Sequence, residues 1–147
     1  MSAGCVIVAV AGLRPKKHAP PMARILIIDD DAPFRAATAL LLKLYGHEVH
    51  EAGDAGEAVR RQLALHADVV LCDVVMPRVD GGAVMRAIRE LCPDTRIIAM
   101  SGAAPYCQPR SPRRITSADR TLAKPFSHHD LSEAVDSVTS DYVANPL

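Results

Sequence analysis

Ile25-Leu26-Ile27-Ile28-Asp29-Asp30-Asp31 is a short apolar run that breaks off into three carboxylates, and Val69-Val70-Leu71-Cys72-Asp73 repeats the arrangement further along the chain. Runs this apolar, without polar alternation, read as strands buried on both faces of a parallel sheet. Ligands of open α/β sheets bind just beyond the strand carboxyl ends. If the two runs are neighbouring strands, Asp29, Asp30 and Asp73 crowd one crevice. Like charges that close must stay partly protonated or share a cation. The all-oxygen character of the cluster favours Mg²⁺ over zinc.

Outward from these runs, short apolar stretches alternate with helical periodicity, the signature of repeated βα units. A helix is predicted from Pro33 to Tyr45, with Asp31 as N-cap, Leu40, Leu41 and Leu44 as its apolar stripe and Gly46 as its stop. A brief polar strand, His47–Glu51, suits a sheet edge, and a helix over 56–66 follows, capped by Asp54 and carrying Val59, Leu63 and Leu65. After the Val69–Asp73 strand, Met76 to Gly82 reads as a loop, and Val84, Ile88 and Leu91 mark a helix that Pro93 ends. Arg96–Met100 is the fourth strand and Thr121–Ala123 the fifth. The last helix has Ser127 as N-cap, Asp130 in a capping-box position and Leu131, Ala134, Val135 and Val138 as its buried face. The fold class is thus α/β: a doubly wound five-stranded parallel sheet in the flavodoxin-like order 2-1-3-4-5. Between Gly102 and Asp119 the regularity fails, because Pro105, Pro109 and Pro112 leave an irregular segment in place of much of the fourth helix.

A chain of 147 residues carries one domain with a real core. Its 17 basic and 17 acidic residues produce no global field toward nucleic acid or an anionic membrane. Cys5, Cys72, Cys92 and Cys107 lack metal-knuckle spacing and do not suggest a disulfide framework, so a cytosolic setting fits. No stretch reaches the roughly 20 apolar residues that cross a bilayer. In Cys5 to Leu13 the basic residues come after the apolar run, the wrong order for a signal peptide. Pro15, Pro20 and Pro21 make a linker, and Met22 reads as the true or an alternative start, so residues 1–22 are expected to be a disordered arm, with an extra strand at Val6–Val10 as the alternative, 23–140 the domain and 141–147 a tail.

In the 2-1-3-4-5 order the strands ending at Asp29 and Asp73 are adjacent, and their carboxylates meet at the switch point. The fourth strand ends in Ser101 and the fifth reaches Lys124, adding a hydroxyl and an ammonium beside Asp73. Such a site suits phosphoryl transfer to a carboxylate, in which the protein's task is positioning and charge neutralisation. Asp73 is the nucleophile expected to attack phosphorus. Asp29 and Asp30, with the backbone carbonyl of Val75, are expected to hold Mg²⁺, while Lys124 and Ser101 meet phosphoryl oxygens.

Four motifs carry a resemblance: Ile25 to Asp31, Asp73-Val74-Val75-Met76-Pro77-Arg78-Val79-Asp80-Gly81, Ile97-Ile98-Ala99-Met100-Ser101-Gly102 and Lys124-Pro125-Phe126. In this order and spacing, residues 23–140 resemble a response-regulator receiver domain of two-component signalling, of the single-domain, chemotaxis-regulator-like kind. The resemblance implies phosphorylation of Asp73 by a sensor histidine kinase or phosphotransfer protein with Mg²⁺, then a rearrangement read by a protein target. A stand-alone member, in which no output domain follows the last helix, is expected. Two departures stand out. Thr121 occupies the switch position where the family usually has an aromatic, with Tyr106 as a conceivable substitute. The Pro105–Ala118 segment is broken and basic: Arg110, Arg113, Arg114, Arg120 and Lys124 against Asp119 make residues 101–124 net +4, whereas Asp130, Glu133, Asp136 and Asp141 make the last helix and tail net −4.

Plainer readings account for several other residues. Asp31 and Asp54 are helix caps. Strand alternation turns Cys72 away from Asp73, which favours packing over redox sensing. His128 and His129 are expected in solvent, and the arginines lack the helix or aromatic platform that nucleic-acid binding would use. A phosphorylation-independent scaffold is one alternative, motivated by Thr121. A phosphohydrolase is another, and Val75 argues against it, because the Asp-x-Asp pair such chemistry uses is missing.

Overall fold

The computed structural model of the protein describes residues 22–102 and 117–143. Its strands are β1 (Arg24–Ile28), β2 (Glu48–Ala52), β3 (Val69–Asp73), β4 (Val75–Met76), β5 (Val79–Asp80), β6 (Arg96–Ser101) and β7 (Arg120–Ala123). The helices are α1 (Ala32–Leu44), α2 (Ala55–Leu65), α3 (Gly81–Leu91) and α4 (His128–Val143). Five strands form one parallel sheet in the order β2-β1-β3-β6-β7. This is the expected 2-1-3-4-5 arrangement, with β6 and β7 as its fourth and fifth strands. The stretch expected as a loop after β3 contains a small antiparallel hairpin of β4 and β5, turned with Arg78 at φ 65°. The N-terminal arm before Met22, Tyr106 and the Arg110, Arg113 and Arg114 cluster lie outside the described residues, as does most of the expected irregular segment.

Alternation along the strands divides the core into two layers. Ile25, Ile27, Leu71, Ile98 and Met100 face α1 and α4, where they pack on Leu42, Leu131, Ala134, Val135 and Val138. Leu26, Ile28, Val70, Cys72, Ile97 and Ala99 face α2 and α3. Ile25 to Ile28 have no exposed surface at all, as a strand buried on both faces requires. Each such side chain contributes about 1.5–3 kcal/mol of burial. No helix among the described residues is long and apolar enough to cross a membrane.

Helix starts follow the sequence reading. Asp31 accepts the N–H of Phe34 at 3.2 Å and Asp54 that of Glu57 at 2.8 Å. Ser127 and Asp130 cap α4 reciprocally, with Asp130 accepting from the Ser127 N–H and hydroxyl and the Ser127 Oγ accepting the Asp130 N–H. All four residues expected on the buried face of α4 are buried.

Three helix faces differ from expectation. In α1 the expected stripe fails at Leu40 and Leu44, which are 59% and 73% exposed, and Thr38, Ala39 and Leu42 face the sheet instead. Leucines surround most of this helix, so hydrophobicity does not set its rotation; Phe34, Thr38 and Leu42, four residues apart, form the line that meets the sheet. In α2, Leu63 is exposed and Gln62 is buried, because its amide donates to the Ala67 carbonyl and the Thr95 hydroxyl. In α3, Val84 and Ile88 are buried as expected, but Met85 takes the place expected for Leu91. Cys72 and Cys92 are both buried free thiols.

Gly81 begins α3 directly against the end of β3. A Cβ there would collide with the Asp73 carbonyl oxygen and lie 2.8 Å from Cα of Val74, whereas at Gly82 the nearest atom is a flexible Asp80 carboxylate oxygen at 3.2 Å. Urea denaturation is expected to show Gly81→Ala destabilised by about 1–3 kcal/mol, through a forced backbone shift. Gly82→Ala should be near neutral, since gained helix propensity of about 1 kcal/mol offsets its mild crowding.

Candidate phosphoacceptor site

The site forms where β1 and β3 end side by side. Cys72 is level with Ile28 in the β1–β3 register, so Asp29 and Asp73 leave the sheet together. One carboxylate oxygen from each of Asp29, Asp30 and Asp73 lies within 4.8 Å of the others. Asp29 is fully buried, Asp73 nearly so, and Asp30 faces solvent. The carboxylate of Asp29 accepts the N–H of Asp31 at 3.0 Å, and that of Asp73 accepts the N–H of Val75 at 3.3 Å.

Lys124 supplies the opposing charge. β7 pairs in parallel with β6, setting Ser101 opposite Ala123, and the Lys124 N–H then donates to the Ser101 carbonyl at 2.8 Å. Its ammonium lies 2.7 Å from the Asp29 carboxylate and 3.6 Å from that of Asp73. It also stands over the ring of Phe34, 4.2 Å from the centroid. Arg89 fixes where β7 begins, donating to the Thr95 and Ser117 carbonyls and to Asp119, whose carboxylate also accepts the N–H of Ile97.

Asp29, Asp30, Asp73 and Lys124 therefore converge as the sequence predicts. Ser101 is buried at the end of β6, and Thr121 is exposed opposite Ala99. Alternation puts both on the α2–α3 side of the sheet, whereas Asp73 follows Leu71 on the α1–α4 side. Val75 presents its backbone N–H to Asp73 and its apolar side chain, 59% exposed, to solvent. His128 and His129 are exposed, as expected. Burial pushes the Cys72 thiol far up, with Asp73 adding to the shift, so its thiolate is suppressed and the side chain serves as packing.

Two residues that the sequence reading passed over hold the site together. Arg35 donates to the Asp29 carbonyl at 2.6 Å and to Glu51 at 3.1 Å, tying the end of β1 to β2. Phe34 lies under Lys124 and meets Phe126 edge-on. The available signal was position: residues three and four beyond the cap Asp31 lie in the first turn of α1, beside the strand from which that turn springs.

The donor set suits a hard divalent cation, since it offers carboxylate oxygens only and leaves Asp30 open to water. Burial raises the Asp73 carboxyl to about 6; Lys124 works against that shift, and Asp29 adds to it. This is the expected state of a carboxylate short of positive charge.

A family described as the response regulator receiver domain matches residues 25–136. The chain belongs to that receiver family. Among relatives, the sensor kinase CckA of Brucella abortus is 32% identical over 117 residues, 77% of this chain and 12% of CckA. The transcriptional regulatory protein PrrA of Mycobacterium leprae is 34% identical over 103 residues, 70% of this chain and 44% of PrrA. The chain thus spans less than half the length of either relative. Among solved receivers, the response regulator TrrA of Thermotoga maritima, in complex with Mg²⁺-BeF, is 30% identical with a TM-score of 0.72, covering 80% of this chain and 99% of TrrA. A CheY-like receiver from Methanospirillum hungatei is 26% identical with a TM-score of 0.75, covering 84% of this chain and 98% of its own.

The raised Asp73 carboxyl has a measurable consequence for receiver stability. Its proton is held more tightly in the folded chain than at the ordinary 3.8 of the unfolded one, so ionisation opposes folding increasingly as pH rises from 4 through 6. In metal-free buffer at pH 7.5, Asp73→Asn should be more stable than wild type by about 3 kcal/mol, and the difference should fall below about 1 kcal/mol at pH 4 and vanish by about pH 3. Chemical denaturation across that range measures it.

Proposed function

We propose that this receiver accepts a phosphoryl group on Asp73 from a phosphohistidine of a sensor histidine kinase or phosphotransfer protein in the cytosol. It then acts as a stand-alone regulator by binding a protein target. The convergence of Lys124 on Asp29 and Asp73 is the observation that carries this reading. An Asp73 carboxylate oxygen attacks phosphorus in line while the phosphorus–nitrogen bond of the donor breaks, and the electron pair leaves with the imidazole nitrogen. The Val75 N–H, already on Asp73, holds the carboxylate in place for the attack. Lys124 reaches a phosphoryl oxygen from its place beside Asp73, and Ser101 donates to another. Asp29, Asp30, Asp73 and the Val75 carbonyl would hold Mg²⁺, which when bound neutralises charge on the transferring group. TrrA, similar over 99% of its length and solved with Mg²⁺-BeF, supports the assignment.

Incubation with acetyl phosphate and Mg²⁺ should add one hydroxylamine-labile phosphoryl group, mapped to Asp73 by mass spectrometry. The label should be absent from Asp73→Ala and after chelation by EDTA. A wild-type chain that stays unlabelled, with target binding unchanged in Asp73→Ala, would replace this reading by that of a scaffold.

Val75 brings no polar group to the mouth of the site, so the side chain at this position orients no hydrolytic water. The phosphorylated chain is accordingly expected to persist for minutes or longer after removal of the donor. Decay within seconds, followed by intact mass, would contradict this and favour a phosphohydrolase.

A further inference from the structure

The cation of the site rests on an aromatic ring. Phe34 has its centroid 4.2 Å from the Lys124 ammonium, inside the range of roughly 6 Å over which a ring face attracts a cation. Its backbone is fixed in the first turn of α1, because its N–H donates to Asp31 and its carbonyl accepts the Thr38 hydroxyl. Its ring is held edge-on by Phe126, with centroids 5.4 Å apart and planes at 74°. Phe126 follows Lys124 by two residues, so one ring meets both the ammonium and the loop that delivers it.

A lysine side chain is a compact charge on a flexible four-carbon stem, with no geometry of its own. Here it is offered two carboxylates, and it lies nearer to the fully buried Asp29 than to Asp73. Pairing with Asp29 alone would permit many approaches. The ring face selects one that keeps Nζ beside Asp73. We propose that Phe34 is a positioning residue for Lys124, its ring face holding the ammonium between Asp29 and Asp73, where an oxygen of a phosphoryl group on Asp73 meets it. The kinetic consequence rests on the phosphoacceptor reading of Asp73; the seating of Lys124 does not.

Phe34→Leu keeps apolar bulk and removes the ring face, whereas Phe34→Tyr keeps both. Labelling by acetyl phosphate with Mg²⁺, followed by intact mass, is expected to slow by about threefold to thirtyfold in Phe34→Leu, the range a cation–π contact supplies, and to stay near the wild-type rate in Phe34→Tyr. In a Lys124→Met background, Phe34→Leu should change nothing further. A Phe34→Leu chain that labels at the wild-type rate overturns the proposal. So does a Phe34→Tyr chain as slow as Phe34→Leu, or a Phe34→Leu effect that survives without Lys124. If Phe34→Leu melts, 3,4,5-trifluorophenylalanine placed at position 34 keeps the ring and strips the negative charge from its face, with the same slowing expected and a wild-type rate overturning. A second readout needs no phosphoryl transfer. Ring-current shifts should move the Lys124 Hε resonances upfield in the wild type and not in Phe34→Leu, and unshifted resonances in the wild type overturn the proposal even if Asp73 never labels. If the wild type fails to label while the upfield shift is present, the phosphoacceptor reading falls and the seat stands.

Discussion

The ammonium of Lys124 lies 2.7 Å from a carboxylate with no exposed surface. A buried carboxylate without a partner is among the most unfavourable things a fold can contain. Asp29 therefore ties the position of Lys124 to stability as well as to chemistry. Setting that position draws on distant parts of the chain: the β6–β7 register, the Arg89 contacts where β7 begins, and the first turn of α1 beneath the charge. One cation is shared by two buried or nearly buried carboxylates, and an exposed third lies within 4.8 Å of them. Burial raises the Asp73 carboxyl and the shared ammonium offsets this only in part, which is why the crevice suits a further positive ion.

The sheet was legible in the sequence because its central strands are buried on both faces. That burial requires the unbroken apolar runs Ile25–Ile28 and Val69–Cys72, and the carboxylates that follow mark the chain's exit from the core. The caps Asp31, Asp54 and Ser127 were equally legible, since capping acts over three residues. Which way each helix faces was not. Leu40 and Leu44 lie outside while Thr38 and Ala39 lie inside, because the Phe34 line fixes the rotation of α1. Gln62 is buried because its amide finds the Ala67 carbonyl and the Thr95 hydroxyl, the latter 33 residues away.

Within the site the same division holds. Asp29, Asp30, Asp73 and Lys124 announce themselves by charge and by their places at strand ends. Arg35 and Phe34 do not, because an arginine and a phenylalanine in a helix read as a surface charge and a core residue. Their contacts with the Asp29 carbonyl and the Lys124 ammonium depend on how closely the helix returns over the strand it left.

Alternation along the strands also sorts the chemistry. Asp73 continues the side of the sheet that carries Leu71 and Met100, while Ser101 and Thr121 continue the side that carries Ala99. The Asp73 carboxylate and the Ser101 hydroxyl thus report to different helical layers, although the strands that bear them are hydrogen-bonded neighbours. Insertion of one residue into β6 ahead of Met100 would keep its own residues in order and still turn that methionine toward the α2–α3 layer where the serine stood. For this strand the count of residues between core and tip specifies which side chain meets which layer as strictly as their identity does.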